Sequence, residues 1–66
     1  MAVARVTKIT SSSTESFQNA VDEGLRRASE TLRGITGLEV VAQKAKVENG
    51  AIAEYRATIE ITFVLE

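Results

Sequence analysis

The sequence predicts an α+β fold in which a three-stranded antiparallel sheet covers one helix, in the chain order β-α-β-β. Three observations lead to this prediction: β-branched residues before a run of Ser and Thr, one segment with helical spacing of apolar residues, and an Asn-Gly dipeptide between two alternating segments. The chain has 66 residues, so we expect a single domain over residues 1–66.

The first strand and the start of the helix meet in one Ser/Thr run. Residues 3–9 (VARVTKI) are rich in β-branched side chains, which favours a strand, and the turn-forming residues 10–14 follow. The same run favours a helix start, because Ser12 or Ser13 can cap the first free amides and Glu15 can complete a capping box. We therefore expect a strand over residues 3–9 and a helix beginning near Ser13.

The helix is expected to rest one face on the sheet. Small and apolar residues recur at the three- and four-residue intervals of a single helical face. These residues are Phe17, Ala20, Val21, Gly24, Leu25, Ala28 and Leu32. Gly34 favours a left-handed helix stop, so the helix is expected over about residues 13–33.

The last third of the sequence predicts two strands joined by a two-residue turn at Asn49-Gly50, since both residue types tolerate positive φ. If Glu48 pairs with Ala51, the register of the whole hairpin follows. The pairs expected on the helix-facing side are Leu38 with Ile61, Val40 with Ile59, Ala42 with Ala57 and Lys44 with Tyr55. We expect the first strand to pair antiparallel with the third, which gives the sheet order 1-3-2 and leaves strands 1 and 2 as open edges.

The other side of the same hairpin carries two pairs of chemical interest. Glu39 is expected opposite Glu60. Like charges opposed on a ladder splay into water, pair with a cation of a neighbouring subunit, or hold a divalent cation. Gln43 is expected opposite Arg56. Four apolar residues share this side: Val41, Val47, Ile52 and Val64. We expect neighbouring subunits to cover them.

Composition narrows the classes of protein. A domain of 66 residues forms a hydrophobic core of only marginal stability. The chain has neither Cys nor His, so disulfides and the commonest zinc ligands are excluded. Oligomerisation therefore remains as the source of additional stability for the fold. The formal net charge of -1, without a basic run, argues against a nucleic-acid partner. No segment predicts a membrane span or a signal peptide, so we expect a cytoplasmic location and no membrane partner.

The sequence offers little for catalysis. Chemistry by His or Cys is excluded, and neither a G-x-S-x-G elbow nor a glycine-rich phosphate loop is present. These absences indicate a binding protein rather than an enzyme.

Several segments together are similar to the dodecin family. They are residues 10–17 (TSSSTESF), residues 25–32 (LRRASETL), residues 38–40 (LEV), and residues 54–55 (EY) with residues 61–66 (ITFVLE). No single segment is a chemical signature, but length, element order and end point agree over nearly the whole chain. The resemblance implies a hollow homododecamer of β-α-β-β subunits that binds and stores flavins such as riboflavin or FMN.

The resemblance also implies a ligand site, at which this sequence departs from the family at two positions. The family's stacking Trp on the second strand corresponds to Gly37, so the aromatic plane is absent. The Gln that binds the pyrimidine edge of the flavin corresponds to Arg56, which donates hydrogen bonds but accepts none. Lys44 falls where members often carry a basic residue near the ligand's tail. Flavin binding is therefore expected to be weak or altered. The flavin-site residues are predicted to be Gly37, Arg56, Lys44 and Gln43.

Two alternatives to flavin remain open. Some family members without this Trp are associated with calcium instead, and the expected pairing of Glu39 with Glu60 makes these two carboxylates the candidate metal ligands. The second alternative is a structural oligomer without a small ligand.

Overall fold

The computed structural model describes residues 3–65 and has the order strand, helix, strand, strand. The elements are β1 (Val3–Ser13), α1 (Phe17–Ser29), β2 (Ile35–Glu48) and β3 (Ala51–Leu65). β3 lies between β1 and β2 and pairs antiparallel with both, in the sheet order β1-β3-β2. The predicted α+β class and sheet order are confirmed. Residues 1–2 of the predicted domain lie outside the described residues. So does Glu66, the last residue of the segment that is similar to the dodecin family.

β1 extends further than predicted and moves the helix cap. It runs to Ser13, which pairs with Tyr55, so the predicted caps Ser12 and Ser13 belong to the strand. The residue that caps α1 is Ser16, whose backbone is extended (φ -169, ψ 166) and whose side chain accepts the Asn19 amide at 2.9 Å. The capping prediction is wrong because long-range pairing with β3 holds the Ser run in the sheet.

The predicted helical face packs on β1 and β3. The buried residues of α1 are Ala20, Val21, Gly24 and Ala28. They pack with the buried β3 residues Ala57, Ile59 and Ile61 to form the core. α1 ends at Ser29, four residues before the predicted end, whereas Gly34 has φ 74 and accepts the Val64 amide at 3.0 Å, at the approach to β2.

The hairpin turn forms as predicted, but its register does not hold along the strands. Asn49 (φ 53) and Gly50 (φ 77) both have the positive φ of a type I′ turn. One irregularity between Lys46 and Val47 leaves Ala53 of β3 without a partner, and a second leaves Val41 of β2 without one. Each of these bulges adds one residue to one strand, and because these two lie on opposite strands they compensate. A third irregularity, between Ile35 and Gly37, leaves Thr36 without a partner at the start of β2.

The bulges change the pairing of the segment between them by one residue. Outside it, Leu38 pairs with Ile61, Val40 with Ile59 and Glu48 with Ala51, as predicted. Inside it, Ala42 pairs with Thr58 rather than Ala57, Lys44 with Arg56 rather than Tyr55, and Gln43 with Ala57 rather than Arg56. A shift of one residue exchanges the two faces of a strand, so these predicted pairs are wrong.

The chain leaves apolar surface and strand edges uncovered. It measures 52 × 19 × 13 Å, whereas a helix of 13 residues spans only about 20 Å at ~1.5 Å per residue. The exposed large apolar side chains are Val3, Val6, Val40, Val41, Val47, Ile52 and Leu65. Val47 and Ile52 are 60% and 50% exposed and pair with each other near the hairpin tip. Among residues 3–65, no helix is long and apolar enough to span a membrane.

Candidate functional site

The predicted ligand and metal positions lie mostly on the sheet face that is turned away from the helix, here called the outer face. Along β3 the residues Ala57, Ile59 and Ile61 are buried beneath α1, so the alternating residues 56, 58, 60 and 62 point outward. Each outward residue of β3 has a partner on β1 and another on β2. The outer face therefore consists of rows of three side chains, one from each strand.

One row contains the two predicted metal ligands and a lysine. Glu39 pairs with Glu60, as predicted, and Lys8 pairs with Glu60 from the other side. The Lys8 Nζ lies 3.9 Å from the Glu60 Oε2. This lysine balances one of the two carboxylates within the same chain, so part of the repulsion between them is relieved without a bound cation.

Within residues 3–65 the carboxylates do not form a complete metal centre. No group of three or more acidic residues comes together there. Calcium takes about six to eight oxygen ligands, so Glu39 and Glu60 are at most part of such a site in one chain. Sequence reasoning missed Lys8, because β1 is joined to the sheet through a helix and no short turn fixes its register.

A second row is basic and contains two of the predicted flavin-site residues. Ser12, Arg56 and Lys44 lie side by side on β1, β3 and β2. The Arg56 Nε donates to the Glu54 Oε1 at 2.6 Å. Lys44 is exposed and forms no ion pair with any residue from 3 to 65. Two cations thus stand opposite each other on adjacent strands.

Gln43 does not join this row. The bulge at Val41 places it opposite Ala57, a core residue, and therefore on the helix-facing side of the sheet. The structure brings together Arg56 and Lys44, which the sequence placed on opposite sides, and separates Arg56 from Gln43.

Gly37 lies far from the other predicted flavin-site residues. It pairs with Thr62, six positions along β3 from Arg56. At ~3.4 Å per residue, this separation is about 20 Å. A Cβ built on Gly37 meets no atom within 4 Å, so the space beside this residue is open surface. One chain alone therefore does not enclose Gly37 and Arg56 in a single pocket.

Two grooves in the described chain lie elsewhere, between α1 and β1. Their volumes are about 390 and 360 Å³, and both include Ile9 and Arg27. None of the predicted ligand or metal residues lines either groove. The predicted positions lie on open sheet surface, which only a second subunit or a ligand can cover.

Comparisons with known proteins agree on one family. The family model described as Dodecin matches residues 3–66. Dodecin from Streptomyces davaonensis is 34% identical, with a TM-score of 0.93 over 98% of this chain and 96% of that one. Dodecin from Streptomyces coelicolor is 31% identical, with a TM-score of 0.94 over 98% and 93%.

A third solved structure is described by its ligand. It is the calcium-chelating immunodominant antigen, calcium dodecin, from Mycobacterium tuberculosis, with a novel calcium-binding site. It is 29% identical to this chain, with a TM-score of 0.84 over 97% of this chain and 91% of that one. No curated protein matches the sequence.

Proposed function

The chain belongs to the dodecin family, and from this premise we propose that it forms a hollow homododecamer that binds and stores a small ligand without converting it. Flavin is the ligand that the family resemblance suggests first. The proposal concerns a binding protein, and its partners are further copies of the chain and a small molecule.

The observation that best supports this proposal is the separation of Gly37 from Arg56. Both occupy positions that correspond to flavin-site residues of the family, yet about 20 Å of β3 lies between them. A ligand ring of ordinary size reaches both positions only if they come from different subunits. The open edges of β1 and β2 and the exposed apolar residues of the sheet support the same conclusion.

Flavin binding by this chain is proposed to be weak. Aromatic stacking contributes roughly 0.5–1.5 kcal/mol beyond area burial, and burial of the ring adds about 25 cal/mol per Å². Gly37 offers no side chain for either contribution. Arg56 donates hydrogen bonds to carbonyl oxygens of a flavin, but it accepts none from the ring N–H.

A divalent cation is the second candidate ligand, and one observation favours it. Glu39 and Glu60 are direct cross-strand partners on the outer face, and a solved dodecin with 29% identity is described as calcium-binding. Lys8 weakens this candidate, because its ammonium group lies beside Glu60. Carboxylates of other subunits would have to complete the coordination shell.

Riboflavin titration tests the flavin proposal. We expect weak quenching of riboflavin fluorescence by the wild-type protein and at least ~10-fold tighter binding by the variant Gly37→Trp with Arg56→Gln, since 1.4 kcal/mol is a factor of ten. Gly37→Trp alone should account for most of the gain, because Arg56 retains hydrogen-bond donors whereas Gly37 retains no surface.

Two results would contradict this account of the flavin site. An assembled double variant that binds riboflavin no better than wild type would mean that the rest of the pocket does not fit the ring. Tight binding by the wild-type protein would mean that another residue supplies the stacking surface. The absorption spectrum of protein purified without added flavin gives an independent check, since a yellow preparation indicates flavin retained from the host.

A further inference from the structure

We infer that the outer face binds the outer face of a second copy of the chain, in a register that places Glu39 of each copy opposite the partner's Lys44. The inference rests on the proposed assembly and deepens it, because it names one contact between the subunits. This contact supplies a partner for the two charged side chains of the outer face that form no ion pair within residues 3–65.

Glu39 and Lys44 carry the unbalanced charges of the outer face. Both are exposed, and both lie on the edge strand β2. Across the ladder each has a charge of its own sign, since Glu39 pairs with Glu60 and Lys44 pairs with Arg56. Glu60 and Arg56 each form an ion pair with a further residue of the same chain. Glu39 and Lys44 therefore gain most from an opposite charge outside the chain.

The two charges lie symmetrically about one row of small side chains. This row, here called the central row, consists of Thr10, Thr58 and Ala42. On β3 the row of Glu60 (the acidic row) lies two positions to one side of the central row, and the row of Arg56 (the basic row) lies two positions to the other. At ~3.4 Å per residue, the acidic and basic rows are each about 7 Å from the central row.

This symmetry is that of a contact between two identical sheets. In an isologous contact both copies use the same surface patch. When two sheets stack about a twofold axis that runs across the strands at the central row, the acidic row of each copy lies over the basic row of the other. Glu39 then faces the partner's Lys44 twice per contact, and Glu60 faces the partner's Arg56 twice.

The central row permits two sheets to approach each other. The Thr10 and Thr58 Oγ1 atoms lie 3.0 Å apart and share a hydrogen bond, and Ala42 adds no polar group. A covering sheet therefore leaves no hydroxyl of this row without a partner. Stacked sheets lie about 10 Å apart, and the long side chains of the flanking rows extend into that space from both sides.

The bulge at Val41 favours a contact of faces over a contact of edges. Antiparallel pairing of two β2 edges would also bring Glu39 near the partner's Lys44. However, Val41 has no partner on β3 and interrupts the regular backbone of this edge. Bulges on an edge strand oppose the addition of a further strand.

Charge reversal tests the contact, with light scattering coupled to size exclusion over a dilution series. Glu39→Lys and Lys44→Glu each place like charges opposite each other across the contact. We expect each single variant to raise the protein concentration at which the oligomer dissociates by about tenfold or more. The double variant Glu39→Lys with Lys44→Glu restores both pairs, so we expect it to dissociate within about threefold of the wild-type concentration.

Interactions within one chain predict the opposite order. Glu39→Lys replaces a like-charge pair with Glu60 by an opposite one, and Lys44→Glu does the same with Arg56, so each reversal stabilises the isolated sheet. Loss of association in the single variants and its recovery in the double variant therefore report a contact between chains. Arg33→Glu, at an exposed position between α1 and β2, is the control for net charge and should dissociate as wild type does.

Cross-linking tests the position of the twofold axis. The chain has no cysteine, so Thr58→Cys introduces a single thiol at the central row, and a short bismaleimide should join two such chains. Thr62→Cys is the matched control, because Thr62 is a half-buried threonine on the same strand and face. Its two copies would be offset by eight residues, about 27 Å along the strands at ~3.4 Å per residue, and should not be joined.

Four results would overturn the inference. They are unchanged dissociation in both single reversals, an equal loss of association in Arg33→Glu, a double variant that dissociates as readily as the single variants, and cross-linking of Thr62→Cys in place of Thr58→Cys. A particle of two chains that shows the expected reversals would support the contact and contradict the cage. A particle of twelve chains that is indifferent to them would support the cage and contradict the contact, and a wild-type monomer would contradict both.

Discussion

Gly24 of α1 packs directly against the sheet, and substitution of this glycine tests the described packing. A Cβ built there lies 2.8 Å from the Ser11 Oγ and 3.2 Å from the Ile59 Cδ1. Ser11 cannot turn aside freely, because its hydroxyl donates to the Ala20 carbonyl oxygen. Gly24→Ala therefore compresses the contact with Ile59 and also displaces the Ser11 hydroxyl from this hydrogen bond.

The magnitude follows from three opposing effects. Alanine gains about 1 kcal/mol over glycine within a helix. Overpacking of a well-packed site costs typically 1–3 kcal/mol, and loss of the Ser11 hydrogen bond costs about 0.5–1.5 kcal/mol. We expect Gly24→Ala to lower the free energy of unfolding by about 0.5–3.5 kcal/mol. For a domain of this size, each ~1 kcal/mol corresponds to a fall in Tm of about 4–8 °C.

Thermal unfolding followed by far-UV circular dichroism measures this change, at matched protein concentration because oligomers melt at concentration-dependent temperatures. Gly37→Ala is a control, since a Cβ at that glycine meets no atom within 4 Å. The double variant Ser11→Ala with Gly24→Ala removes the hydroxyl that lies nearest, so it should lose less stability than the sum of the two single variants. A Gly24→Ala protein as stable as wild type would refute the described packing of α1 on β1.

The remaining predictions concern the acidic row and the helix cap. Calcium should raise the Tm of wild-type protein, and the rise should be smaller for Glu39→Gln, because this variant removes a calcium ligand. The rise should be larger for Lys8→Gln, because the Lys8 ammonium group competes with calcium for Glu60. Equal shifts of Tm in all three proteins would leave Glu39 and Glu60 without a role in calcium binding. Ser16→Ala should lower the free energy of unfolding by about 1 kcal/mol in chemical denaturation, because the Asn19 amide loses its hydrogen-bond acceptor. Ser12→Ala is the control, and a larger loss of stability in that variant would mean that Ser12 rather than Ser16 caps the helix.

The features that local sequence fixes were predictable. The Asn49-Gly50 turn, the helical face of small residues and the alternation of β3 each depend on residues close together in the chain, and each is confirmed. These elements permit only a few ways of packing one helix on three strands. The fold class therefore followed from the sequence.

The features that long-range pairing fixes were not predictable in the same way. Any Ser of the run could cap a helix, and the choice of Ser16 depends on how far β1 pairs with β3. The bulges have a weak local signal in the consecutive apolar residues Val40, Val41 and Ala42, which interrupt alternation. Between the bulges the predicted faces of β2 were exchanged, whereas those of β3 were correct, and the row of Arg56 with Lys44 was missed for that reason.

Assembly is the claim on which the stored ligand depends, because one chain leaves its site open. Light scattering coupled to size exclusion measures it most directly, at a protein concentration well above that of the binding experiments. With a chain mass of 7.1 kDa, we expect one species of about 85 kDa, the mass of twelve chains. A stable species of 7.1 kDa would contradict it.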